Sequence, residues 1–206
     1  MTPRFAAVGE KVTVSAAGYT PGERYALDWT TVIGNRVGGH GWNEASRPVA
    51  EAAADASGRL GFDFAAPDDL GGAHALTVEN APDRQTGSLW IKPTALPLDV
   101  ERGPVATPFT LHLKGVGWTE TANIYTVVYD NSYVGYACAV NSQGDVGIPL
   151  QATGDPGWHF IDLYPAIYRG DEQRPRNFLI PQLTSAADHP GEDLPHFRFA
   201  FEVTEE

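Results

Sequence analysis

The chain has one cysteine, Cys138, in 206 residues, so no intrachain disulfide is possible and its folded core rests on burial alone. Cys138 falls in the apolar run Tyr136–Val140, where a buried, unreactive thiol is expected. No apolar run approaches the roughly 18–20 residues that a membrane-spanning helix needs, so no membrane insertion is expected. The opening residues, MTPRFAAVGE, lack the apolar centre of a secretion signal. Two readings fit that start, a cytosolic protein or a piece of a longer exported chain, and the second is the expectation carried forward: an extracellular or cell-surface protein.

Basic residues are scarce, 14 Lys and Arg against 26 Asp and Glu, for a net charge of −12. The imbalance is uneven: eight basic against eleven acidic side chains over residues 1–95, and six against fifteen over 96–206. A surface of this sign repels phosphate backbones, which excludes non-specific nucleic-acid binding, and it also serves plain solubility. Histidines at His40, His112, His189 and His196 show no His-x-His or His-x-x-x-His spacing, so no zinc site is expected. There is no Gly-x-Ser-x-Gly, phosphate loop or dinucleotide fingerprint, and no catalytic residue or cofactor is assigned.

No segment holds a helical period. Glycine (22) and proline (16) are abundant and aromatics make up 11% of the chain; breakers between short runs of Val, Leu, Tyr and Phe predict many short strands. Val12 and Val14 alternate with Lys11, Thr13 and Ser15, the pattern of a half-buried strand. Gly18–Glu23 reads as a turn, and Tyr25, Leu27 and Trp29 as one face of the next strand, with Trp29 in the core. Gly34–Pro48 has no periodicity and reads as a Gly-rich loop exposing His40 and Trp42. Leu60, Phe62 and Phe64 then alternate, followed by His74, Leu76 and Val78, and Ser88–Lys92 closes the first half. Lys92–Pro97 reads as a short, stiff linker.

The second half repeats this order. Ala152–Leu163 (ATGDPGWHFIDL) reads as a copy of Ala66–Val78 (APDDLGGAHALTV). Gly117-Trp118-Thr119 stands where Gly18-Tyr19-Thr20 stood, Ile124–Tyr129 where YALDWT stood, and Gly144-Asp145-Val146 where Gly58-Arg59-Leu60 stood. Four matches in one order predict an internal duplication, with domains over residues 1–95 and 96–206. The copies differ in two places. Domain two has a compact hairpin turning at Asp130-Asn131-Ser132, and a long charged insertion, Tyr164–Pro195, before its last strand.

The runs Val12–Glu23, Asp55–Leu60 and Ala66–Val78 follow the pattern V-x-V-x-x-x-G-[YF]-x-P-G-E, D-A-S-G-x-[LF] and A-P-x-x-x-G-G. That pattern resembles tandem bacterial immunoglobulin-like repeats related to IPT/TIG domains. The resemblance covers most of residues 8–92 and about half of 104–203, and implies an all-β fold of two antiparallel sandwiches, the second carrying the insertion. Domain two departs from it at Glu120-Thr121-Ala122, which replaces Pro-Gly-Glu, and at the insertion. Such domains serve as spacers, adhesive modules and parts of secreted enzymes.

His74 and His159 take the place of an inward tyrosine and read as structural, each bonding a loop carbonyl. His159 and Asp162 point to opposite faces of a strand and form no pair there. Acidic residues Asp171-Glu172, Asp188 and Glu192-Asp193 either bind calcium or form a solvated loop. Among the many aromatics of domain two, several must be core. The candidate ligand-binding residues are Trp118, Tyr164 and Tyr168, with Trp42 and His40 in domain one, and a carbohydrate or a protein is the expected ligand. The leading expectation is a non-catalytic spacer or recognition module. The alternatives are a hydrolase-type site under the insertion using Asp162 or Asp171, and assembly through sheet edges.

Overall fold

The computed structural model describes residues 1–34, 41–79, 86–117, 124–139, 143–171, 174–179 and 197–205; for Thr86, 165–171 and 174–179 it describes the backbone alone. Every regular element among them is a strand. In the first half these are β1 (Phe5–Ala6), β2 (Lys11–Ala17), β3 (Arg24–Gly34), β4 (Trp42–Ala53), β5 (Arg59–Ala65), β6 (Gly72–Val78) and β7 (Thr86–Ile91). The second half holds β8 (Thr94–Ala95), β9 (Arg102–Gly103), β10 (Pro108–Lys114), β11 (Ile124–Tyr129), β12 (Ser132–Cys138), β13 (Val146–Gln151), β14 (Gly157–Asp171), β15 (Arg174–Leu179) and β16 (Phe197–Val203).

Period-2 alternation builds two separate cores. In β5, Leu60, Phe62 and Phe64 are buried while Arg59, Gly61 and Asp63 face water. They pack with Val12, Tyr25, Leu27, Trp29, Leu76, Val78, Leu89 and Ile91. The second core gathers Phe109, Leu111 and Leu113 of β10, Tyr125, Val127 and Tyr129 of β11, Ile161 and Leu163 of β14, and Phe199, Phe201 and Val203 of β16. Trp29 is fully buried, as the sequence predicts; sinking a side chain of that size contributes about 3 kcal/mol before any ordering cost.

The two halves share a topology. One sheet runs β1-β7-β6-β3-β4 against the pair β2-β5; the other runs β12-β11-β14-β16-β9 against β13-β10-β8. In each, the leading segment bonds to one sheet and then crosses to run parallel to the last strand of the other. Thr2 bridges Thr13 before Phe5–Ala6 pairs with Trp90–Ile91, and Thr94–Ala95 pairs with β10 before Arg102–Gly103 pairs with β16. With antiparallel pairing elsewhere, this is the immunoglobulin-like sandwich, in tandem.

Three segments depart from the sequence reading. Within Gly34–Pro48, Trp42–Pro48 is strand and not loop: β3 and β4 pair as a long hairpin from Arg24↔Ala53 to Gly34↔Trp42 with one register shift between Leu27 and Asp28, and their connection lies outside the described residues. Cross-strand pairs such as Thr30 with Ser46, whose hydroxyls bond at 2.9 Å, hold it without an apolar alternation to announce it. The Lys92–Pro97 linker contributes β8 to the second domain, and Ala95 packs on the second core. The insertion begins as structure, because β14 continues past the sheet and pairs with β15 from Ala166↔Leu179 to Asp171↔Arg174. In contrast, the hairpin at Asp130-Asn131 is as predicted, with φ of 45° and 63° in a two-residue turn.

The domains meet in backbone contact. Gly71 N donates to the Val116 carbonyl at 3.1 Å, while Val116 N is held within the second domain by the Gly144 carbonyl at 2.9 Å. A Cβ at Gly71 would overlap the Gly115 carbonyl oxygen. Lys114 Nζ straps the joint, 2.6 Å from Asp68 and 3.0 Å from Asp145; these two carboxylates raise its pKa.

Candidate recognition face

The surface that distinguishes the second domain lies on the outside of its larger sheet. Strand alternation in β14 sends Ile161 and Leu163 into the core, so Trp158, Phe160, Asp162 and Tyr164 project outward. Register aligns Asp162 with Val128 of β11 and Arg198 of β16, and Val128 with Tyr133 of β12. One row further along, Tyr164, Thr126 and Tyr136 align. Trp158 is 62% exposed, Phe160 45%, Tyr133 60% and Tyr136 68%. Four aromatics therefore stand exposed on one sheet face, Trp158 and Phe160 towards one end of β14 and Tyr133 and Tyr136 two strands away.

Polar groups fix this face from beneath. Asp162, 3% exposed, takes a two-pronged ion pair from Arg198, Nε to Oδ1 at 2.7 Å and Nη2 to Oδ2 at 3.0 Å. The pair keeps the guanidinium charged beyond its ordinary range, and Arg198 lies 5.6 Å from the Phe160 ring centre. Tyr164 is buried, which raises its phenol pKa, helped by the Asp162 charge.

Both histidines act as latches, and in the same way. His74 Nε2 meets the Leu70 carbonyl at 2.7 Å and His159 Nε2 that of Asp155 at 2.8 Å, four residues back in each case. The second nitrogen reaches the paired strand, at the Thr30 carbonyl (3.0 Å) in domain one and at the Asp130 carboxylate in domain two. Asp130 also accepts from Phe160 N at 2.9 Å, so the tight turn is tied to the strand that carries Trp158 and Phe160. The Asp130 carboxylate first, and the Asp155 carbonyl second, raise the His159 pKa. His159 therefore finds its carboxylate across the sheet, since Asp162 lies on the other face.

The candidate residues distribute as follows. Trp118 and His40 lie outside the described residues, as do Glu172, Asp188, Glu192 and Asp193. Tyr168 lies in the β14–β15 arm, its backbone paired with Asn177. Trp42 is half-buried at the start of β4, paired with Gly34. Tyr164 belongs to the same sheet face as the exposed aromatics but is buried, at 6% exposure. Cys138 is half-buried on an edge strand, not in the core. Among the described residues no three His, Cys, Asp or Glu side chains gather around a point where a metal ion would sit.

Trp158 and Phe160 lie outside the candidate set that the sequence suggests, although strand parity marks them. Once His159, Ile161 and Leu163 are read as inward, their neighbours must face out. The duplication sharpens this: Trp158 and Phe160 occupy the places of Ala73 and Ala75 in the first copy, which are exposed on the matching strand. The fold needs no aromatic there.

No protein-family model matches the chain, and no curated protein matches it. Among solved structures, an alpha-2-macroglobulin of Salmonella aligns with 99% of the chain at 11% identity and a TM-score of 0.32. The chain spans 16% of that protein's length. Domains 3 and 4 of rat CD4 align with 85% of the chain at 12% identity and a TM-score of 0.29, over 97% of their own length. The D0–D1 region of intimin aligns with 95% at 12% identity and 0.23, over 94% of its length.

Proposed function

We propose that the protein is a non-catalytic recognition module, an immunoglobulin-like pair of an exported or cell-surface bacterial protein, and that it binds a protein partner through the outer face of its second domain. The observation that carries this reading is the exposed set Trp158, Phe160, Tyr133 and Tyr136 on one sheet face. Tryptophan and tyrosine around a fixed arginine are the residues that concentrate binding energy at protein interfaces, and lysine is absent from the set. The membership implied by the Gly18–Glu23 and Asp55–Leu60 motifs, repeats related to IPT/TIG domains, is part of the same reading.

The test is an array of purified extracellular proteins and glycans probed with the wild-type chain, Trp158→Ala and Tyr133→Ala. A protein binder weakened about tenfold or more by each substitution is expected, with Trp42→Ala unchanged as the control. A glycan binder weakened by the same substitutions would keep the face and overturn the protein partner. Binding that ignores both substitutions, or no binder at all, would overturn the reading.

A further inference from the structure

The ends of the sheets are not treated alike. Apart from the two-residue strands β1, β8 and β9, every edge strand among the described residues carries a charge or a proline along its length. Lys11 is in β2, Arg59 and Asp63 are in β5, and Glu44, Arg47, Pro48 and Glu51 are in β4. Pro149 interrupts β13, and β15 opens Arg174-Pro175-Arg176. These are the devices that stop an open edge from pairing with another chain. The exception is β12, Ser-Tyr-Val-Gly-Tyr-Ala-Cys, which has neither, and which exposes Tyr133, Val134 and Tyr136 at 53–68%. Its only such device is a bulge at its start, where Val134 is the extra residue between the pairs Val128↔Tyr133 and Val127↔Gly135. After it the register is regular, and no strand among the described residues pairs with the outer edge of Gly135–Ala137.

We infer that β12 is an association edge, and that its occupant is the β12 strand of a second copy of this chain, running antiparallel about a two-fold axis. Opposed residues in an antiparallel pair must share a face, and this limits where the axis falls. Tyr136 faces out with Thr126, while Gly135 and Ala137 face in with Val127 and Tyr125. An axis at Tyr136 sets the two tyrosines side by side, a favourable cross-strand pair, and Gly135 against Ala137 of the partner copy, a contact between two small residues. It also places Val134 against Cys138. The interface is self-complementary, as a closed dimer requires. In a molecule of net charge −12, this uncharged strand is the edge along which two copies approach with least repulsion, so association strengthens as salt screens the remainder. This inference shares Tyr136 with the recognition reading but rests on the backbone edge of β12, so a dimer that survives Trp158→Ala separates the two.

Sedimentation of the full chain over a concentration series reaching about 1 mM tests it. A monomer–dimer equilibrium is expected, tighter at higher salt. Tyr136→Lys places two ammonium groups opposite each other on the axis and weakens the dimer about tenfold or more; the side chain is exposed, so the thermal melt stays in place. Ala75→Lys, on the outer face of domain one, leaves the dimer unchanged. A chain bearing Tyr136→Cys with Cys138→Ser forms a disulfide-linked dimer under a mild thiol oxidant, because the single thiol faces its own copy across the axis at cross-strand distance. A monomer at every concentration overturns the proposal. So does a dimer indifferent to Tyr136→Lys, or one that forms without the cross-link.

Discussion

Replacing Asp69 by Asn exchanges one oxygen for an amide group of nearly equal size, and the first domain is built so that this small change is costly. The carboxylate is 3% exposed and accepts three hydrogen bonds. Oδ1 takes Thr31 Oγ1 at 2.7 Å and Leu70 N at 2.8 Å, and Oδ2 takes Trp29 Nε1 at 2.8 Å. An asparagine keeps its oxygen for the two donors on Oδ1, which leaves its NH2 facing the indole N–H, donor against donor. Trp29 is fully buried and stacked on His74 at 4.3 Å, so its N–H has no water to turn to. An orphaned buried donor costs about 1–3 kcal/mol, and losing the charge from the other two bonds adds to it, for about 2–3 kcal/mol in all. For a domain of this size that lowers the midpoint of unfolding by roughly 10–20 °C. The two domains melt separately in principle, so the assay is urea unfolding read by hydrogen exchange on peptides from each half. The decisive measurement is a double-mutant cycle. Trp29→Phe removes the indole N–H, so Asp69→Asn in that background costs under about 1 kcal/mol. Additive effects would refute the donor conflict as the cause.

Three further outcomes follow from the geometry. The His159 pKa is raised in the fold, so its contribution is fully present below the unfolded value near 6.5 and is lost as pH rises through the raised folded value. Wild-type domain two therefore loses stability relative to His159→Gln as pH climbs through that window, and an NMR titration placing His159 at or below 6.5 would contradict this. Gly71→Val drives a side chain against the Gly115 carbonyl and breaks the 3.1 Å bond to Val116 while leaving both cores intact. Small-angle scattering and NMR relaxation should then show two independently tumbling domains where the wild type shows one body. Trp158→Ala, at an exposed site, changes stability by no more than about 0.5 kcal/mol, which separates its expected loss of binding from unfolding; a large drop in the melt would make Trp158 a structural residue.

Strand order, the duplication and most of both cores were legible because they rest on alternation, and alternation is local. Leu60, Phe62 and Phe64 announce their face without reference to any partner. What stayed hidden depends on partners far along the chain. The β3–β4 hairpin is stabilised by pairing such as Thr31 with Ala45 over residues that are mostly polar or small, so no period marks β4. Asp69 reads as part of a loop, and only the fold brings it under Trp29. The β14–β15 arm reads as insertion because its prolines and charges argue against a strand, and an edge arm tolerates both. The exposed aromatics differ in kind: strand parity alone sets Trp158 and Phe160 on the outer face, whereas Trp118 and Trp42 stand out in the sequence only because Gly-rich, aperiodic residues flank them.

The duplication does more than explain the fold, because it supplies an internal control for function. Both copies hold the histidine latch, with Nε2 on the carbonyl four residues back, so that feature answers a need of the sandwich itself. Beneath it, Trp29 of the first copy is matched by Tyr129, whose hydroxyl bonds the Thr153 carbonyl at 3.0 Å: a different aromatic, the same filling of space between sheets. Differences confined to the core are thus compensated within the core. The change of Ala73 and Ala75 to Trp158 and Phe160 is not, since it falls on an outer face, adds apolar surface to water, and has no counterpart change that buries it. The same holds for β12, which has none of the charges or the proline found in its counterpart β4. The second copy thus differs from the first where the sandwich does not require it, in exposed aromatics on its outer sheet face and in a β12 strand without charge or proline.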